Sequence, residues 1–258
     1  MIILKSERDL EGMRPACDVA SRVLDEITEY IRPGVTTKDI DLFAAARTKA
    51  HGARSAFLGY RKYPCHACIS VNDQVVHGLA SDRRVEFGDI VSVDVGVLFG
   101  GFIGDVARTV AVGGCGVAAQ QLMDVTEQAL YEGVAQAVAG NRVVDISRAI
   151  QTYVERNGYN VVREFVGHGM GRSMHEDPQI PNFAENKPSP KLRPGMTLAI
   201  EPMVNAGAPG VKVLKDGWTV VTQDGSLSAH FEQTVLVTEL EAEILTWHAH
   251  MPSKLKGR

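Results

Sequence analysis

The chain has 258 residues, a formal net charge of −4 and four cysteines. That length suits one large domain or two small ones. Without a basic run or tail the chain lacks the footprint of a nucleic-acid binder, no apolar stretch is long enough to span a bilayer, and four cysteines do not make a disulfide framework.

The first residues, Met1-Ile2-Ile3-Leu4-Lys5, are too short an apolar run for a signal peptide, so the expected location is the cytoplasm and the expected thiols are free. Residues 6–31 read as an amphipathic helix: Ser6 with Asp9 resembles a capping box, and Leu10, Met13, Cys17, Ala20, Leu24, Ile27 and Ile31 recur at helical spacing until Pro33-Gly34. A second helix is predicted over 37–51, ending at Gly52. Strands are expected near 67–72, 90–98 and 102–112, then helices over 117–139 and 144–157. The rest reads as strand, at 160–166, 197–204, 211–222, 228–238 and 243–247.

A faint repeat runs through this order. Gly34, Asp39-Ile40 and Gly52 recur 106 residues later as Gly140, Asp145-Ile146 and Gly158, and Gly88 and Asp94 recur 107 residues later as Gly195 and Glu201. Two copies of a helix–helix–strands unit, at 6–115 and 116–247, would bring Asp94 and Glu201 to equivalent places facing one centre.

Acidic residues in apolar, strand-like runs carry the chemistry. In 91–97 the valines alternate and put Asp94 on the opposite face, as in a half-buried strand. Gly100-Gly101 can supply the positive φ of a tight hairpin turn, and if the two-residue loop is Phe99-Gly100, Asp94 and Asp105 fall directly opposite, with Cβ atoms about 4.5–5.5 Å apart. Two bare carboxylates there repel by roughly 3 kcal/mol at an effective dielectric of 20, which a shared proton or, better, a cation relieves. His168, Glu201 and Glu232 sit in similar apolar surroundings. One imidazole with four carboxylates suits Mn, Fe, Co or Zn over Ca or Mg, and two divalent ions would cancel the four charges and activate a water for hydrolysis.

The order Asp94, Asp105, His168, Glu201, Glu232 resembles that of the methionine aminopeptidases of type I. The words around these residues match as well, among them Cys68-Ile69-Ser70-Val71-Asn72, Val166-Gly167-His168-Gly169-Met170-Gly171, Ala199-Ile200-Glu201-Pro202-Met203 and Phe231-Glu232-Gln233-Thr234. The likeness covers residues from about 9 to 246. It implies the α/β (α+β) pita-bread fold: two pseudo-symmetric halves, with helices covering a curved antiparallel-type sheet around a central metal site, in a single catalytic domain over 1–258. It also implies removal of the initiator methionine from nascent proteins with a small second residue, in a cytoplasmic monomer that meets the ribosome. By resemblance Asp94 ligates one ion and His168 the other, Asp105 and Glu232 bridge both, and Glu201 binds metal and serves as general base. His175 would stabilise the oxyanion, and His77 would handle the scissile amide nitrogen or the substrate backbone.

The resemblance further implies that Tyr60, Tyr63, Cys68 and Trp218 wrap the first side chain of the substrate. Phe57 stands where the family commonly has a small cysteine, and Met174 where an aromatic is common; both bear on pocket width. His51, His66, His230, His248 and His250 read as structural or surface residues. Cys65-His66-Ala67-Cys68 has zinc-clip spacing but no second pair, so one of its two thiols is expected to line the pocket. Asn72 and Ser228 are candidates for a monovalent cation. The match begins near residue 9, with no zinc-binding or proline-rich leader and no long insertion, which favours type I. The alternatives are an Xaa-Pro peptidase on the same fold and a non-catalytic fold-mate that binds protein or RNA.

Overall fold

A computed structural model describes residues 1–247. Helix α1 is Glu7–Tyr30, capped by Ser6, whose hydroxyl accepts from the Asp9 amide while the Asp9 carboxylate accepts from the Ser6 amide. Helix α2, Thr37–Ala50, starts with the same box at Thr36 and Asp39. Two helices follow at mid-chain, α3 (Val117–Val134) and α4 (Val143–Arg156). The expected overrun of α3 to 139 does not occur: the helix turns off at Ala135, and an isolated bridge pairs Val138 with Thr238.

The long hairpin Ile90–Phe99 with Phe102–Ala111 is the backbone of the first half. It turns at Gly100-Gly101 (φ 59° and 85°), because a two-residue turn of this hand needs positive φ at both central positions. Gly100 and Gly101 do supply the positive φ, but the loop is this pair and not Phe99-Gly100. The true register sets Phe99 opposite Phe102, Gly96 opposite Asp105 and Asp94 opposite Ala107. Asp94 and Asp105 are therefore diagonal neighbours. The slip is two residues, an even number, so both stay on one face of the hairpin.

The same sheet adds Cys68–Val71 and the short Arg54–Ser55 to the strand carrying Asp94. The second half is led by a five-stranded antiparallel sheet in the order Glu243–Ile244, Gln233–Leu236, Thr197–Ile200, Val166–Gly169, Glu176–Pro181. The last of these strands was not expected from sequence. Several predicted strands are interrupted. The run 197–204 divides into Thr197–Ile200 and Met203–Asn205 around Glu201-Pro202, since proline has no amide hydrogen for a ladder. The run 228–238 divides into Ser228–His230 and Gln233–Leu236 around Phe231-Glu232, and 211–222 opens into a turn between Val213 and Val220.

The repeat has backbone support. Gly34 and Gly140 (φ 91° and 94°), Gly52 and Gly158 (72° and 82°), and Gly88 and Gly195 (100° and 86°) share left-handed conformations. One apolar cluster unites α1 and α2 with the hairpin, through Leu24, Ile27, Ile40, Val93 and Val106; another unites α3 and α4 with the five-stranded sheet, through Leu122, Leu130, Ile146, Ile150 and Leu198. The two sheets join at the centre, where the Glu232 amide donates to the Ala107 carbonyl (2.9 Å) and the Thr234 hydroxyl donates to the Asp105 carbonyl (2.7 Å). Among the described residues, no helix is long and apolar enough to cross a membrane.

Candidate metal centre and its cavity

The five expected ligands reach this seam from separate elements. Asp94 and Asp105 come from the hairpin and His168 from Val166–Gly169, while Glu201 and Glu232 occupy the two strand breaks. Breaks there have a reason: a residue outside a ladder can turn its side chain across the sheet edge. The Glu201 carbonyl is taken by the Asn182 side-chain amide (3.1 Å), which fixes the main chain at one break.

The donor atoms converge. Asp105, His168 and Glu232 place one ligand atom each within 4.8 Å of one another. His168 Nε2 lies 3.5 Å from Glu201 Oε1 and 3.8 Å from Asp105 Oδ2. His168 Nδ1 donates to the Gly169 carbonyl (3.0 Å), so the Nε2 lone pair faces the acidic cluster, the tautomer a metal ligand requires. Asp94 Oδ1, Asp105 Oδ1 and Glu232 Oε1 are buried with no hydrogen-bond partner among the described residues. Buried oxygens left unpaired are costly, and a divalent cation is the partner this donor set fits.

Electrostatics agree. Burial pushes Asp94 up to about 7. Asp105, Glu201 and Glu232 are driven well above the usual carboxylate range, first by burial and then by the neighbouring acids. Burial also pulls His168 down to about 3, so its imidazole is neutral and available as a ligand.

A cavity of about 640 Å³ opens over the cluster. Each residue expected to bind substrate lines it: Phe57, Tyr60, Tyr63, Cys68, His77, Met174, His175 and Trp218. Tyr63 packs edge-on against Trp218 (centroids 5.0 Å apart) and against Phe57 (6.5 Å). Phe57 and Met174 close over Gly96, where an added Cβ would stand 2.4 Å from Phe57 Cε1 and 2.7 Å from Met174 Cε. His77 adopts a left-handed backbone (φ 58°), strain that suits a functional position, and burial lowers it to about 4. His175 stands exposed at the mouth. Its ring lies 4.3 Å from that of His168, and its Nδ1 is 2.7 Å from the Tyr60 hydroxyl. Tyr60 thus engages His175 as well as the cavity wall.

Sequence reasoning missed two residues here. His230, read as structural or surface, is 2 % exposed and lines the cavity, its Nε2 3.7 Å from Glu201 Oε2. The signal was available: His230 and Glu232 are two apart in an extended run and share a face. Phe165, which also lines the cavity, packs edge-on against His77 (5.3 Å) and gave no such signal.

The other histidines divide. His51 pairs with Glu26 (3.1 Å) away from the centre, as expected of a structural residue, and His66 is half-buried; His248 and His250 lie outside the described residues. Cys65 and Cys68 are free thiols: Cys65 Sγ accepts from the Ala80 amide, and Cys68 sits across the ladder from Asp94. Asn72 and Ser228 adjoin, but their side chains are already engaged, Asn72 with Asp89 and the Ile90 amide and Ser228 with Asn205.

Residues 11–239 match the model of metallopeptidase family M24. The methionine aminopeptidase of Clostridium perfringens is 49 % identical over 246 residues, covering 95 % of this chain and 99 % of its own. The crystal structure of methionine aminopeptidase from Rickettsia prowazekii superimposes with a TM-score of 0.94 at 40 % identity, over 96 % of this chain and 100 % of that one. A prolidase from Pyrococcus furiosus shares the fold alone, with a TM-score of 0.78 at 23 % identity over 96 % of this chain and 66 % of its own, so the Xaa-Pro alternative is not favoured. The chain, a pita-bread protein with its acidic cluster at the seam of two halves, belongs to metallopeptidase family M24, on its methionine aminopeptidase branch.

Proposed function

We propose that this chain is a cytoplasmic methionyl aminopeptidase that removes the N-terminal methionine from nascent polypeptides with a small second residue. The observation that carries the reading is the convergence of the buried Asp105 and Glu232 carboxylates with a ligand-ready imidazole, beside Asp94 and Glu201, beneath a cavity walled by aromatic rings and sulfur. Asp94, Asp105, His168, Glu201 and Glu232 would hold two divalent ions of Mn, Fe, Co or Zn, which when bound would supply Lewis acidity and lower the pKa of water.

The chain's own residues do the rest. Glu201 takes the proton of the attacking water and returns it to the leaving amine. His175 receives the Tyr60 hydroxyl on Nδ1, which leaves the proton on Nε2, free to donate to the carbonyl oxygen as negative charge gains there. His77, kept neutral by burial, hydrogen-bonds the substrate backbone beside the scissile bond. The substrate thioether meets the edges of Tyr63 and Trp218 and the Met174 and Cys68 sulfurs, contacts that favour a polarizable side chain. Phe57 and Met174, seated on Gly96, set the floor and hence the width of that pocket.

The test is methionine release from Met-Ala, Met-Pro and Ala-Pro peptides by protein loaded with Mn, Fe or Co. Methionine release from Met-Ala is expected, with Ala-Pro left intact. Cleavage of Ala-Pro with none of Met-Ala would move the chain to Xaa-Pro chemistry, and no cleavage of any peptide would reject the enzyme reading.

A further inference from the structure

His230 is a buried imidazole that the mechanism above does not use. Its main chain is held firmly. The His230 amide donates to Thr109 Oγ1 (2.9 Å), and the Thr109 hydroxyl lies 2.8 Å from both the His230 carbonyl and Ser92 Oγ. The strand Ser228–His230 is thereby tied to the hairpin that carries Asp94 and Asp105, and the ring is aimed inward at 2 % exposure. His230 Nε2 has no hydrogen-bond partner among the described residues. It lies 3.7 Å from Glu201 Oε2, while His168 Nε2 lies 3.5 Å from the other oxygen, Oε1. The Glu201 carboxylate is therefore bracketed by two imidazoles.

The two rings cannot play the same part. His168 has its N–H on Nδ1, bonded to the Gly169 carbonyl, and presents a lone pair at Nε2. His230 presents Nε2 to a carboxylate oxygen, an acceptor, so its useful state there carries the proton on Nε2. The gap is a few tenths of an ångström beyond a hydrogen bond and closes with a small rotation of either side chain. A general base needs one oxygen turned toward the water and the other restrained; a carboxylate free to rotate spends time in unproductive orientations.

We propose that His230 is a positioning residue for Glu201: its Nε2–H donates to Oε2 and fixes the carboxylate plane so that Oε1 stays toward His168 and the attacking water. The proposal rests on the reading of Glu201 as general base. It acts through Glu201 and assigns His230 no contact with substrate and no place among the metal ligands.

Three variants test it. His230→Leu keeps the bulk and removes the donor; kcat should fall about 10–100-fold, the usual effect of losing a group that orients a ligand, with KM within about twofold. His230→Gln keeps an N–H donor and should return kcat to within about threefold of the parent. Should the Leu variant not fold, His230→Asn, whose amide ends short of the carboxylate, takes its place as the donor-deficient arm. Cobalt content by elemental analysis should be unchanged in all variants, while the visible Co(II) absorption of the donor-deficient protein should shift and that of the Gln protein should match the parent. Parental kcat in the Leu variant, a Gln variant as slow as Leu, or loss of a metal equivalent on removing the imidazole would each overturn the proposal. If the parent releases no methionine, the functional reading falls, and the Co(II) spectra still decide whether His230 orients Glu201.

Discussion

Chelation of the metal centre should destabilise the protein, and should do so more at higher pH. Asp105 and Glu232 present donor oxygens within 4.8 Å; at an effective dielectric of 20, two negative charges at that distance repel by about 3.5 kcal/mol. Asp94 and Glu201 add to this. In a domain of this size about 1 kcal/mol corresponds to roughly 2–4 °C, so divalent ions should raise Tm by roughly 7–14 °C at about pH 8. Without metal, the folded-state pKa values of Asp94, Asp105, Glu201 and Glu232 lie above their unfolded values, Asp94 at about 7. The neutral forms are favoured in the fold, so this contribution to stability is fully present below about pH 4 and is lost as pH rises through the folded values. Metal binding runs the other way, because protons compete for the same oxygens. Scanning calorimetry of chelated and Mn-loaded protein at about pH 5.5 and about pH 8 should show the larger metal-induced gain at the higher pH. Equal gains at both, or a Tm indifferent to chelation, would refute the claim that these carboxylates share a cation.

Glu201→Gln should keep most of the bound metal yet lose turnover by about 10²–10⁴-fold, the span expected for a general base; parental kcat in the metal-replete variant would contradict that role. Tyr60→Phe removes the hydroxyl on His175 Nδ1 and should lower kcat about tenfold with little change in KM, with ¹⁵N NMR of the histidine showing a loss of the Nε2–H tautomer. Gly96→Ala puts a Cβ against Phe57 and Met174 and should cost about 1–3 kcal/mol in urea unfolding while raising KM for methionyl peptides; unchanged stability and KM would mean the two side chains yield freely. Trp218→Ala opens the wall that Tyr63 and Trp218 form edge to face, so preference for methionine over leucine and norleucine should relax; an unaltered ranking of kcat/KM would discount the pocket assignment.

Local physics was legible in the sequence. The capping box at Ser6, helical spacing in α1, valine alternation around Asp94 and the glycines at 34, 52, 140 and 158 each record a rule that acts within a few residues, and each element formed where its rule applied. The ordered words around Asp94, Asp105, His168, Glu201 and Glu232 likewise carried the family and named the candidate ligands. Register was harder. The alternation requires Asp94 and Asp105 to share a face but leaves their offset open by steps of two, and only Gly100 and Gly101 adopting positive φ together fixed the turn.

The tertiary structure decided what depends on contacts between distant strands. Glu201 and Glu232 lie in breaks that look like continuous strand, because the hydrophobic pattern continues through them while the ladder does not. The seam at Ala107 and Glu232, the approach of the Tyr60 hydroxyl to His175, and the tie of His230 to Thr109 all arise from packing one half of the chain against the other. Side-chain type and spacing select which groups can bind a cation or move a proton. Which of them meet, and which carboxylate oxygen each imidazole faces, is set by long-range pairing whose entropy cost and register no local pattern encodes.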